Sequence, residues 1–511
     1  MNLPYLKSAG SPSKVETVAM RGINYSDQIQ DGDLRDSLNL SARRYPYIST
    51  RRARVKQEQY SGATGLTAWG KLVVIQGTDV LYDGEVVGQV DEGEKQFAVV
   101  NTKMVIWPDK VYLDMTSREV KPLGAKLTGS KATFTKNTMK VTGWTDLTTL
   151  FQAGDAISLT GCTTKAENNK DFVIQNLTSD TITVTDNTFA EATETSVSIT
   201  LERKIPDMDF ICESENRLWG CSSEAQTIYA SSLGDPTNFF AYEGLSTDSY
   251  ALAVGSEGDF TGCCKLTSSV LFWKETKLHK MLGGYPAEYA LYTYDIEGLQ
   301  KGCHKSLQVI NEVLFYMGLH GVYAYSGGTP SLISSSLGDH EMTDAVGGND
   351  GDSYFLSVQD GLERHFLVYE TRSGVWVRED NTDAVDFARI GKDLYFLSSD
   401  GTVWLADNRE DDPNIQWLAQ FAPFYETIEG RKTYSRLMLR LELPKGSYLS
   451  AEVRCDGGKW KECGKVVGKE YDVVPLRIAV NRCDKFEIRL RGKGPCTILS
   501  MMREFRVGSD V

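Results

Sequence analysis

Five histidines, ten cysteines and 69 acidic residues are the raw material for chemistry in this chain of 511 residues. The histidines are His279, His304, His320, His340 and His365. They are scattered, and none has a second histidine or a carboxylate at ligand spacing on one strand face. They read as surface or loop residues. The cysteines form no C-x-x-C pair, so zinc-ligand spacing is absent. Several lie in strand-like runs, where a thiol behaves as a small hydrophobe. The start, MNLPYLKSAGSPSK, has no charged segment followed by an apolar core, so no secretory signal is expected. Thiols kept reduced in a cytosol are therefore expected, and no metal or cofactor is predicted.

The larger catalytic signatures are also missing. There is no G-x-S-x-G elbow, no H-E-x-x-H and no G-x-x-x-x-G-K-[ST] loop. SSDGTVW (398–404) looks like the aspartate box of sialidases, S-x-D-x-G-x-x-W, but Gly401 follows Asp400 directly and Trp404 comes one residue early. An Asp-Gly hairpin turn explains it better. Glycosidic cleavage needs two carboxylates roughly 5 to 9 Å apart, and 69 acidic residues offer too many pairs to nominate one. The expectation is a protein that is not an enzyme.

One strip could bind a partner. ARRYPYISTRRARVK (42–56) sets Arg43, Arg44, Arg51, Arg52 and Arg54 around Tyr45 and Tyr47. It suits docking on an acidic partner, or on nucleic acid with the tyrosines as stacking surface. The plain reading, preferred over docking of either kind, is a solvated extended lead-in that crosses the first blade, and the choice of partner arises only among the docking readings. The formal net charge is −14, a poor general grip on phosphates, so a protein partner is favoured.

The elements that would position these residues are hairpins. NEVLFYMGLHGVYAYSG (311–327) has an apolar strand, a glycine turn and an aromatic return strand. The same plan recurs at 70–84, 101–115, 215–232, 268–281, 354–376 and 391–407. Related hairpins about 40 residues apart, with four short strands per unit, predict a β-propeller. Seven blades are favoured, and six or eight also fit the degenerate pattern. Trp273, Trp376, Trp404, Tyr285 and Tyr354 could line a sugar-binding face, but packing between blades is the expected use. The strand that fastens first blade to last is not apparent.

The full reading is all-β, in five parts. An N-terminal arm covers 1–57 and the first propeller segment 58–122. Residues 123–203, rich in Thr, Ser and Asn, read as an inserted small β-barrel or sandwich. The propeller resumes over 204–431, and 432–511 reads as a C-terminal β-sandwich. TDLTTLFQAG (145–154) could form a turn or two of helix. No apolar run of about 18 residues is present, so no membrane anchor is expected.

Four stretches resemble bacteriophage virion proteins. NRLWGCSSEAQTIYASSLGDPTNFF (216–240) is similar to an element in which a blade hairpin is followed by S-x-x-x-D-P-x-N-F/W. ARRYPYISTRRAR looks like the lead-in of those proteins. NRCDKFEIRLRGKGPCTILSMMREFRVGSD (481–510) resembles their C-terminal sandwich, and HFLVYETRSGVWVRED (365–380) also fits. The insertion has no counterpart there. The resemblance implies a tail nozzle or head-to-tail connector, made in the host bacterial cytoplasm and built into the virion. Such proteins assemble as homo-oligomeric rings, commonly hexamers. They continue the channel through which genomic DNA passes without sequence-specific binding, and dock other tail proteins. The resemblance carries over no catalytic residue. A tail-tip or cell-surface propeller binding a receptor or carbohydrate is the alternative.

Overall fold

A computed structural model of the chain describes residues 12–185, 187–426, 430–478, 480 and 482–507. The protein is an all-β propeller with an inserted β domain and a C-terminal β-sandwich. The described helix consists of single 3-10 turns, of which Leu147–Thr149 is what the run 145–154 forms. The chain divides into two compact units, residues 62–304 and residues 1–61 with 305–511.

The 62–304 unit holds four blades, each a four-stranded antiparallel meander in which consecutive strands pair. Blade 1 is Ala63–Trp69, Lys71–Gln76, Asp79–Tyr82 and Glu85–Gln89. Blade 2 is Gln96–Val100, Lys103–Trp107, Val111–Asp114 and Glu119–Pro122. Blade 3 is Phe210–Ser214, Arg217–Ser222, Thr227–Ala230 and Tyr250–Ala253. Blade 4 is Gly262–Leu266, Ser269–Trp273, Lys277–Leu282 and Ala290–Asp295. The second strands KMVIW and SVLFW are buried almost throughout, because neighbouring sheets cover both faces. That is why they read as continuous apolar runs without alternation. Val73 and Ile75 pack with Met104 and Ile106, Trp107 with Leu218 and Phe239, and Trp219 with Phe272, so each blade buries side chains of the next.

Between blades 2 and 3 lies the insertion, a seven-stranded sheet whose long strands Ala125–Phe134 and Ala192–Arg203 pair over most of their length. It has its own core, in which Phe134 and Phe172 meet Phe189 edge-on. A self-contained core lets such an insertion sit in a blade-to-blade connection, since lengthening a loop adds little closure entropy.

The other unit holds blades 5 to 7. Blade 5 is Gln308–Ile310, Val313–Gly318, Gly321–Tyr325 and Ser331–Leu332. Blade 6 is Met342–Asn349, Ser353–Asp360, Glu363–Glu370 and Val375–Asp380. Blade 7 takes Ala384–Ile390, Asp393–Ser398 and Thr402–Leu405 from one end of the propeller and Val55–Gln59 from ahead of blade 1. This exchanged strand is the fastening that the sequence did not reveal. Gly401 turns the chain beside it with φ 81°, and a Cβ there would collide with the Tyr60 carbonyl oxygen.

The C-terminal sandwich has two six-stranded sheets. One contains Leu40–Ser41, Ile48–Thr50, Thr497–Val507, Lys432–Leu443 and Glu470–Arg477, with Ser13–Thr17 also paired to Thr497–Val507. The other runs Gly22–Ile23, Asp33–Leu38, Gln416–Phe421, Phe486–Lys493, Tyr448–Cys455 and Lys461–Val467. The expected arm at 1–57 is therefore not an arm in its described part. It gives strands to both sandwich sheets and to blade 7, and the sandwich draws on Gln416–Phe421 as well as on 432 onward. The apolar residues of the lead-in are few, but Met20, Ile23, Leu34, Leu40 and Ile48 are each 1% exposed or less. Short strands added to a preformed sheet need only one or two such anchors.

Candidate functional site

The arginine strip lies where the lead-in passes from the sandwich to blade 7. Arg54 immediately precedes the exchanged strand. Its Nη2 donates to Glu379 Oε2 at 2.7 Å and its Nη1 to Asp380 Oδ2 at 2.8 Å, both on the last strand of blade 6. Its guanidinium carbon lies 4.5 Å from the ring centre of Phe366 and 5.1 Å from that of Phe396. Arg51 donates to Asn39 Oδ1 at 2.8 Å and stands 3.7 Å from Glu379. Burial, with the nearby Arg54 charge, pushes the Arg51 guanidinium below its ordinary value against the pull of Glu379.

Arg43 pairs with Asp350 and with Asp407, the latter at 2.8 Å, and stands 3.6 Å from Glu370. Burial acts to lower its pKa, but Asp350 and Glu370 outweigh that and hold it above the ordinary value. Arg44 grips Glu442 at 2.6 Å and Thr497 at 2.9 Å on the sandwich. Arg52 lies 3.8 Å from Asp407 and is half exposed, while Tyr45 and Tyr47 are 44% and 36% exposed. Much of the strip's charge is thus engaged within the chain, tying the sandwich to blades 6 and 7. The exposed surface it leaves includes Tyr45, Pro46 and Tyr47 with the outer parts of Arg43, Arg44 and Arg52. A polar cavity of about 250 Å³ lies beneath, lined by Arg43, Arg51, Thr50, Glu379, Asp407 and Thr497 among others.

The residues weighed for sugar chemistry divide. Trp273, Trp376 and Tyr354 are buried to 1% exposure or less between blades, and Trp404 is half-buried, whereas Tyr285 is exposed. Asp400 accepts from Ser398 Oγ at 2.5 Å and from the Thr402 amide at 2.9 Å, closing the Asp-Gly turn of blade 7. Those hydrogen bonds hold its carboxyl below the usual carboxylate range. Among the described residues, no group of three or more His, Cys, Asp or Glu is arranged to hold a metal ion.

The histidines correct an expectation, since not all are surface residues. His279, on blade 4, is fully buried, with Ser256 Oγ 2.8 Å from Nε2 and Thr293 Oγ1 2.8 Å from Nδ1. Burial pulls its pKa down to about 4, helped by Lys274 and Lys277. Two hydroxyls satisfy the ring, so a strand position tolerates it. The adjacent polar residues His279 and Lys280 gave no sign in the sequence that both faces of the strand are covered.

The D-P-x-N residues have a role that sequence reasoning did not assign. Asp235 accepts from the Thr237 amide at 3.1 Å and pairs with Lys103 of blade 2 at 3.2 Å, and Gln152 of the insertion donates to it at 3.1 Å. Asn238 donates to the Gly154 carbonyl of the insertion at 2.5 Å, and Phe239 is fully buried beside Trp107. Arg203 at the exit of the insertion donates to the wholly buried Asp155 at 2.6 Å and to the Leu123 carbonyl at 3.1 Å. The motif is a clamp that joins blade 2, blade 3 and the insertion.

No protein-family model matches the chain, and no curated protein matches it. Among solved structures, one of Kluyveromyces lactis Hsv2 is 15% identical with a TM-score of 0.28, over 39% of this chain and 60% of that one. Kluyvelomyces marxianus Hsv2 is 11% identical with a TM-score of 0.29, over 44% and 82%. An exo-β-1,3-galactanase from Phanerochaete chrysosporium is 7% identical with a TM-score of 0.22, over 56% and 92%. The chain therefore spans less than two thirds of the first of these.

Proposed function

We propose that the chain is a structural, non-catalytic building block of a bacteriophage tail. In this reading it is a nozzle or connector subunit that assembles with copies of itself into a ring continuing the DNA channel. The observation that carries the reading is the stitching of the chain's lead-in. Strands from 13–50 enter both sandwich sheets, and 55–59 completes blade 7. Such exchange hides sheet edges and makes local opening costly, which suits a part that transmits force. The clamp at Asp235 and Asn238 supports the same reading, because it gives a mechanical use to a stretch that resembles an element of virion proteins. Electron microscopy of purified protein and of labelled virions tests it. Rings of copies and label at the tail are expected, and monomers only in both settings would defeat the reading.

One observation favours the receptor- or carbohydrate-binding alternative. The outermost strand of blade 4, Ala290–Asp295, presents Tyr292 and Tyr294 at 48% and 43% exposure, and Tyr285 just before it is 39% exposed. Exposed aromatic rings can stack on sugar rings. A glycan array with the full chain separates the two readings. A nozzle subunit binds no sugar, whereas binding lost in Tyr292→Ala and Tyr294→Ala would favour the alternative.

A further inference from the structure

Charge is distributed very unevenly along this acidic chain. Residues 432–511 carry 17 Lys and Arg against 10 Asp and Glu, while residues 1–431 carry 38 against 59. The basic excess belongs to the C-terminal sandwich, and the strand register shows where part of it is displayed. In the sheet ending Phe486–Lys493, Tyr448–Cys455 and Lys461–Val467, Lys465 stands opposite Ser450, and Ser450 opposite Arg491. The adjacent row is Val467, Tyr448 and Lys493. Paired residues project to the same side, so these six share one face. The opposite face is core, with Leu449, Ala451, Ile488 and Leu490 fully buried.

The face is built as an interface is built. Tyr448 and Val467 are 46% and 68% exposed and form an apolar cross-strand pair. Cations surround it. Arg491 remains 52% exposed and reaches Glu452 only at 3.4 Å, because Arg489 already holds that carboxylate at 2.6 Å. Lys465 is 66% exposed, 3.8 Å from Glu462. Next to them Trp460 lies between Arg454 and Arg489, whose guanidinium carbons are 4.5 and 4.3 Å from its ring centre. An apolar centre with a charged rim is the usual anatomy of a protein–protein contact. Edge protection alone does not account for it. Lysines on the edge strand Lys461–Val467 would deter stray pairing, but Arg491 and Lys493 sit two strands further in.

We infer that this face of the sandwich docks on the acidic propeller surface of a second copy of the chain. The complementary charge is supplied by the same sequence, since blades and insertion together hold the whole acidic excess. Opposite potentials on separate parts of one subunit favour head-to-tail contact, the kind that closes into rings. The inference rests on the ring-forming reading above and names the surface that would build it.

Sedimentation velocity of the full chain tests it, at about 50 mM and about 500 mM salt, where screening differs severalfold. The variants are Lys465→Glu with Arg491→Glu, the neutral pair Lys465→Gln with Arg491→Gln, and a control reversal of Lys131 and Lys136 in the insertion. Thermal unfolding first establishes that each variant folds. The expected result is self-association of the parent chain that weakens at least tenfold in high salt. The reversal should weaken it as much, the neutral pair less, and the control not at all. Association unchanged by the reversal would overturn this surface while leaving the ring reading intact. A parent chain that stays monomeric at every concentration and salt would overturn both. Duplex DNA binding by the parent, lost in the reversal while self-association persists, would assign the face to nucleic acid and overturn the inference.

Discussion

Arg54 and Glu379 form an ion pair from which water is largely excluded: Nη2 lies 2.7 Å from Oε2, with the two side chains 8% and 10% exposed. The pair bridges the exchanged strand of blade 7 and the last strand of blade 6, under a roof of Phe366 and Phe396. Leaving a buried charge wholly unpaired typically costs about 3–5 kcal/mol, and loss of Arg54 leaves Glu379 only the longer 3.7 Å contact with Arg51. Arg54→Ala should therefore lower stability by that order in denaturant unfolding. It should also expose the amides of 55–59 to hydrogen exchange. Pairing it with Glu379→Gln should recover part of the loss. An unfolding midpoint and exchange pattern equal to the parent's would show that the strand is held by its backbone alone.

The clamp between blades and insertion should be separable from the fold of either. Asp235→Ala removes the partner of Lys103, Gln152 and Thr237, and Asn238→Ala removes the bond to Gly154. Lost hydrogen bonds of this kind cost about 1–3 kcal/mol when a buried partner is left unpaired. The expected readout is faster proteolytic nicking near 122–126 and 203–207, with both parts still folded. If the cleavage rate does not change, the motif does not fasten the insertion.

Acid should weaken the protein through His279 before it reaches the carboxylates. The folded pKa lies near 4, below the ordinary 6.5, because burial disfavours the charged ring. The unfolded chain thus binds the extra proton first as pH falls. Stability from this group is full above about pH 6.5, declines from there and is lost by about pH 4. By linkage the total is roughly 3 kcal/mol. His279→Gln should flatten the stability curve across that window in urea titrations at stepped pH. A variant curve parallel to the parent's would remove His279 from the account.

The cysteines should be sluggish in the native state. Burial pushes the thiols of Cys162 and Cys463 up to about 11, and Cys496 is raised by the same cause. At pH 8 a thiol with that pKa is about one part in a thousand thiolate, the reactive form. A chromogenic disulfide reagent should label the native chain slowly and the urea-unfolded chain rapidly at all ten cysteines. Prompt native labelling of several thiols would contradict the burial described.

The hairpins were legible because each writes its strands and turn within about 15 residues. NEVLFYMGLHGVYAYSG becomes Val313–Gly318 and Gly321–Tyr325, and all seven predicted hairpins supply strands to the seven blades. What stayed hidden was non-local. Val55–Gln59 reads VKQEQ, with no apolar residue after Val55, and is a strand only because Thr402–Leu405 offers it a ladder. The arginines of 42–56 announced a docking strip, but nothing local named Glu379, Asp407 or Glu442 as their partners. Partners hundreds of residues away leave no spacing to read. The basic face of the sandwich was hidden for a related reason: Lys465 and Arg491 become neighbours only through the register of a strand between them.

Because the strand Val55–Gln59 pairs with Thr402–Leu405, it has no ladder to join until the ribosome has made about 340 further residues. At about 5–20 residues per second, the lead-in spends tens of seconds as an unmatched tail while the middle blades take shape. Its glutamines, lysine and glutamate suit that wait, since a polar segment resists sticking to strangers. Translation that stops early would leave not merely a missing end but an orphaned beginning.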